Sequence, residues 1–210
     1  MNVPTFFNFQ NEPESSVGAS GTAAQYVAAW RHIHDRLLGA GATNAIWTVV
    51  YMGVISDNKL ALVKALYPGD AYVDWIAWDP YDWGACRSQP SVSFADTVSP
   101  FYNWLQANGY GSKPVMLGEY GTEEDPADPN GKADWSTGEN RSMATNQFPN
   151  LKALSYFDHP SPPASCNWSI STSSASVASY AKFVTDQAAR TSIPITVPGV
   201  GNNATPQPSQ

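Results

Sequence analysis

Residues 23–51 read AAQYVAAWRHIHDRLLGAGATNAIWTVVY, and this stretch holds the unit from which the chain is built. Tyr26/Val27, Trp30, Ile33 and Leu37/Leu38 recur at the helical period, which predicts an amphipathic helix over Ala23–Leu38. Gly39 and Gly41 follow, and glycine suits the left-handed backbone that ends a helix. Ala45–Tyr51 then runs almost without a polar side chain, as a strand buried on both faces does.

The same alternation extends in both directions. Further strand-like runs stand at Pro4–Phe9, Val73–Asp79, Pro114–Glu119 and Ala153–Phe157. Helical patterns stand at Leu60–Leu66, Phe94–Ala107, Gly131–Asn146 and Ala175–Arg190. Strands alternating with helices make a parallel sheet with right-handed crossovers. The strand-to-strand spacing of about 30–40 residues matches the repeat of a (β/α)8 barrel of roughly 250 residues or more. Five units cannot close eight strands, and the chain opens almost inside a strand. The expected fold is therefore α/β, a partial (β/α)8 TIM barrel holding about the last five βα units, strands 4 to 8, within residues 1–192; an open doubly wound sheet is the alternative. Residues 193–210, rich in Pro, Gly and Asn and without periodicity, read as a tail or linker.

Composition narrows the function. Charged residues are 14% of the 210, well below an ordinary soluble chain, while aromatics reach 12%. A net charge of −7 without a Lys/Arg cluster argues against nucleic acid or anionic lipid as a partner. No apolar run approaches the roughly 18 residues of a membrane span. Neither cysteine, Cys86 or Cys166, sits in a zinc-ligand spacing, and no glycine-rich phosphate loop occurs, so no metal or cofactor is expected. The cysteines are either bridged to each other or free. An aromatic, weakly charged surface suits neutral polar ligands such as sugars.

In a parallel barrel the active groups sit at the C-terminal ends of strands. Gln10, Asn11, Glu12, Pro13 and Glu14 end the first visible strand; Gly118, Glu119, Tyr120 and Gly121 end the fourth. One strand-end glutamate alone is usually a solvated loop residue or a cap partner. Two in matching positions form the carboxylate pair that glycosidic cleavage needs. Glu14, Glu123, Glu124 and Asp125 read as solvated loop acids, and Asp79 and Asp158 as braces. Trp78, Trp83 and Trp168 lie in or beside strand-end loops, where a ring can stack on a sugar. His159 follows the last strand and is a weaker candidate for the cleft. Trp30, Trp47, Trp75 and Trp104 read as core, and His32 and His34 as helix packing or surface.

Phe9–Glu14, Tyr26–Asp35, Tyr67–Trp75, Trp78–Trp83 and Lys113–Gly121, in this order and spacing, resemble glycoside hydrolase family 26. The resemblance runs over roughly residues 6–185. It implies a retaining (β/α)8 enzyme, in the main an endo-β-1,4-mannanase, with Glu12 as acid/base after strand four and Glu119 as nucleophile after strand seven. By the same resemblance Tyr81 is the hydroxyl that orients the nucleophile. One position departs: the family usually has His where Asn11 stands, and in related families an Asn there holds the sugar 2-hydroxyl. Asn11, Tyr81, Trp83 and Trp168 are thus the expected substrate-binding residues. Mannan is the first expected substrate; β-glucan or xylan, or a non-catalytic carbohydrate-binding remnant, are the alternatives. The resemblance also implies a secreted protein, monomeric when complete. Cys86 and Cys166 fall in mouth loops where a bridge would suit export.

Overall fold

The computed structural model describes residues 3–161 and 166–190; the expected tail at 193–210 lies outside them. Strand β1 (Thr5–Phe7) leads to helix α1 (Ala23–Gly39), β2 (Ala45–Tyr51), α2 (Asp57–Leu66), β3 (Trp75–Trp78) and the two-residue β4 (Tyr81–Asp82). Then come α3 (Phe94–Ala107), β5 (Val115–Thr122), α4 (Gly131–Ala144), β6 (Leu151–Tyr156), the short β7 (Pro160–Ser161) and β8 (Cys166–Asn167), and α5 (Ser174–Arg190).

Local chemistry sets the boundaries. Thr22 opens α1 with a capping box, its hydroxyl accepting from Gln25 N while Gln25 Oε1 accepts from Thr22 N at 2.8 Å. Beyond the last turn, Gly41 takes φ 90°. Helix α2 starts at Asp57, before its apolar pattern does, because the Ser56 hydroxyl accepts from Lys59 N.

Strands β1, β2, β3, β5 and β6 pair in parallel and in chain order, while β4 extends the mouth end of β5 through the pairs Tyr81–Gly121 and Asp82–Thr122. This is a curled half-barrel with its helices outside, as the strand spacing implies. Alternation along each strand separates two faces. Trp47, Val49, Tyr51, Ile76, Trp78, Val115 and Leu117 pack with Tyr26, Trp30, Val63, Phe94 and Phe101 in the large core beneath the helices. The opposite, concave face carries a small cluster of Phe6, Ile46, Trp75, Met116 and Ala153. There the rings of Phe6 and Trp75 meet edge to face at 5.0 Å.

Burial of every strand on both faces is not what is found. Past Ala45, β2 and β3 are buried throughout, but β1 and β6 are half-buried or exposed at most positions. Each of those two has a single strand neighbour among the described residues, so one side and much of the concave face stay open.

Trp30 shows how the helix layer is locked. It is fully buried, lies against Trp47 and Tyr26, and donates its indole N–H to Tyr72 O at 2.9 Å. We expect Trp30→Ala to lower the unfolding free energy by about 3–5 kcal/mol, read as a fall in the urea midpoint with an unchanged slope.

Candidate active site

The groups singled out at the strand ends meet at one mouth of the half-barrel. Glu12 holds a left-handed backbone (φ 47°, ψ 55°), rare for a side-chain-bearing residue and costing on the order of 1–3 kcal/mol. Its N–H donates to Val50 O at 3.1 Å, which ties the turn to the end of β2. Beside it, Asn11 Nδ2 donates to Asp79 Oδ2 at 3.0 Å. The other Asp79 oxygen accepts from the Glu119 backbone N–H at 2.8 Å. The Tyr81 hydroxyl then donates to Glu119 Oε2 at 2.8 Å. A continuous chain of bonds thus runs from Asn11 through Asp79 and Glu119 to Tyr81.

An irregularity in β5 aims Glu119. Leu117 and Tyr120 both belong to the helix-side core, yet two residues stand between them where strict alternation allows one. The pairing of β5 with β6 shifts at the same place. The extra residue of this bulge turns Glu119 from the helix layer toward Tyr81; bulges commonly re-aim side chains at active sites. Gly118 is required beside it, because a Cβ there would lie 2.7 Å from Asp79 Oδ1 and 2.9 Å from Val50 Cγ1.

Electrostatics separate the carboxyls. Glu12 is raised above the ordinary carboxyl range, first by burial and then by the Glu119 charge, with Lys59 pulling the other way. Asp79, more deeply buried and beside both glutamates, is pushed up to about 8 despite its bonds from Asn11 and the Glu119 amide. The Tyr81 phenol is raised by burial and by its bond to Glu119, so it stays a donor. Chemically the mouth offers a carboxyl whose protonated form burial favours, a second carboxyl oriented by a phenol, and a bridge between their loops.

Tyr81, Trp83 and Trp168 form one aromatic cluster, with ring centroids 4.7 Å (Tyr81–Trp168), 5.4 Å (Tyr81–Trp83) and 5.1 Å (Trp83–Trp168) apart. Their accessibility differs from expectation. Trp168 is 1% exposed and backs the Tyr81 ring rather than facing the cleft. Trp83 is half-buried, and the Arg87 guanidinium lies 3.2 Å from its ring centroid. Trp78, the other strand-end candidate, is fully buried beneath α3. His159 is exposed, its ring 6.1 Å from Phe157, which in turn meets Tyr81 edge to face. Of the tryptophans read as core, Trp30, Trp47 and Trp75 are buried, and Trp104 stacks on Phe101 at 5.5 Å.

Cys86 and Cys166 are bridged, with Cα atoms 5.1 Å apart, which joins the Gly84–Arg87 turn to β8 behind the aromatic cluster. Burial raises the Glu123 carboxyl above its ordinary value, and the nearby backbone of Cys86 and Asn167 works the other way. Glu123 and Glu14 are not solvated loop acids: they are 8% and 4% exposed. Glu124 and Asp125 do sit nearer the surface, bonded to Thr172 and Ala127 N. The three-residue cluster of Cys86, Cys166 and Glu123 has the compactness of a metal site, but the disulfide consumes its sulfur ligands.

No protein-family model matches the chain. Over 167 residues it is 31% identical to endoglucanase H of Acetivibrio thermocellus, an overlap of 78% of this chain and 17% of that protein. The chain thus spans about a sixth of that relative's length. Its fold matches a family 26 β-mannanase of Bacteroides ovatus with a TM-score of 0.61 at 21% identity, over 86% of this chain and 50% of that one. It also matches a family 128 oligosaccharide-binding protein of Trichoderma gamsii with a TM-score of 0.59 at 14% identity, over 89% of this chain and 70% of that one. What these likenesses share with the chain is the fold, the (β/α) barrel that the strand spacing implies.

A carboxyl-carbon NMR titration is expected to place Asp79 near pH 8. In Asn11→Ala it should move higher, because the bond from Asn11 favours the charged form and is lost. An unchanged or lowered value would show that the Asn11–Asp79 bond does not form in solution.

Proposed function

We propose that the chain carries the acid/base and nucleophile of a retaining glycoside hydrolase that cleaves internal β-1,4 linkages of a polysaccharide, mannan first. The observation that carries this reading is the bonded chain Asn11–Asp79–Glu119–Tyr81, which joins the loops of both glutamates. Glu12, whose protonated form burial favours, gives its proton to the glycosidic oxygen while Glu119 attacks the anomeric carbon. The alcohol departs and a glycosyl ester on Glu119 remains. Glu12, now ionised, takes a proton from water, whose oxygen attacks the same carbon and frees Glu119, with retention of configuration. Tyr81 holds Glu119 by its hydroxyl, and the exposed Asn11 amide is placed for a substrate hydroxyl. The partner is a neutral polysaccharide, and the disulfide is in keeping with a secreted protein.

A β-glucan substrate is a second reading, favoured by Asn11 in place of the family's usual His and by the likeness to an endoglucanase. A non-catalytic sugar-binding role is a third, favoured by the open sheet edges and by the oligosaccharide-binding neighbour in the fold comparison.

Reducing-sugar release from mannan, mixed-linkage β-glucan and xylan, measured beside binding to each, separates the three. We expect release with the β-anomer formed first by proton NMR, loss of release in Glu119→Ala, and a fall of about 10²–10⁴-fold in Glu12→Gln on natural linkages. Binding without release, or full activity in Glu119→Ala, would sink the hydrolase assignment. The pH profile of kcat/KM should be bell-shaped. Its basic limb should lie above the usual carboxyl range, because Glu12 acts protonated and its pKa is raised; a limb at an ordinary carboxyl value would remove Glu12 from the acid role.

A further inference from the structure

The left-handed turn at Glu12 needs a hold, since an ordinary side chain does not rest there unaided. Two bonds from the end of β2 supply it on either side of Tyr51. Val50 O accepts from the Glu12 N–H at 3.1 Å, and the Met52 N–H donates to Glu14 Oε1 at 3.0 Å. The second bond reaches the same turn through a side chain. Lys59 closes it from α2, its ammonium donating to Glu14 O at 3.0 Å and lying 3.8 Å from Met52 Sδ. Glu14 is 4% exposed and its Oε2 is buried without a hydrogen-bond partner. A carboxyl so placed is costly to bury, which a purely structural contact would not require.

We infer that Glu14 is a positioning residue for Glu12: its carboxyl, pinned to the Met52 amide, holds the strained turn that sets the Glu12 side chain at the mouth. The inference rests on the reading of Glu12 as acid/base. The ionisable groups facing Glu14 are Glu12 in its own turn, Lys59 of α2, Tyr26 of α1 and Tyr51 of β2. Burial, with the Glu12 charge adding to it, pushes Glu14 up to about 7. Below that pH Glu14 is neutral, so it holds the turn without adding a charge beside the proton donor.

The test has two readouts, amide hydrogen exchange and a leaving-group split. In Glu14→Ala, and in the volume-filling Glu14→Leu, exchange at the Glu12 and Met52 amides should accelerate at least about tenfold, while Ile76 and Leu117 keep their protection. Glu14→Gln retains an acceptor for Met52 and should restore both amides. With a β-1,4-linked oligosaccharide, kcat/KM in Glu14→Leu should fall about 10–100-fold. With a dinitrophenyl glycoside, whose leaving group needs no proton, it should change little. Unaltered exchange at Glu12 overturns the inference whatever the activity. Equal losses on both substrates, or global loss of protection in both the Ala and Leu variants, overturn it too, since they make Glu14 a general structural residue. A parent protein inactive on every glycoside defeats the hydrolase reading instead, and the exchange data still decide whether Glu14 holds the turn.

Discussion

The Asp79 carboxyl is the contact on which the arrangement of the mouth depends. One oxygen takes the Asn11 amide and the other the Glu119 backbone N–H, so a single side chain at the end of β3 joins loops 107 positions apart in the chain, from Glu12 to Glu119. Asp79 is 4% exposed, and its elevated pKa follows from placing a carboxyl beside two others out of water. Gly118 is the complement of this contact, because any Cβ at that position would occupy the space of the Asp79 oxygen.

A second constraint is the mismatch between strand alternation and site geometry. A regular β5 would carry Leu117 and Glu119 on the same face, sending the glutamate into the helix core. The bulge before Tyr120 resolves this by placing Gly118 and Glu119 between two core residues. Glu12 meets a comparable conflict in its loop and resolves it with a left-handed backbone. Both glutamates therefore sit on locally irregular chain, each stabilised by hydrogen bonds to a neighbouring strand or strand end.

How much of this was legible in the sequence follows from the range of the forces involved. The βα alternation is a local property, and the helices at 94–107 and 23–39 and the strand at 45–51 lie where periodicity puts them. Strand ends and motif order place Glu12, Glu119 and Tyr81 near one another without knowledge of packing, and the structure brings Tyr81 to Glu119 and both glutamates' loops to Asp79. Trp168 was misplaced: a ring after the last strand and a ring beneath Tyr81 look alike until the Cys86–Cys166 bridge draws β8 behind the cluster. Glu14 and Glu123 were misjudged for a similar reason. Each lies near acidic neighbours that suggest solvent, and each is buried by tertiary packing that no local pattern announces. The half-open state of β1 and β6 is likewise a tertiary property, since apolar strands read the same with one neighbour or two.

The proposed reacting groups and the surface a polymer would occupy make different demands on this half-barrel. The hydrogen bonds that tie Glu12, Asp79, Tyr81 and Glu119 in place lie within β1–β5 and the turns between them, while Trp168 backs the Tyr81 ring and β6 pairs alongside the bulge. The concave face differs: Phe6, Trp75 and Met116 pack in a cluster with only two residues well buried, bounded by strands that have one neighbour each among the described residues. On the hydrolase reading, the breadth of the cleft depends on what lies along those edges. If that reading holds, positioning of the carboxyls and choice of substrate are separable in this fold: a short chain of hydrogen bonds does the first, and the walls around the concave face would do the second.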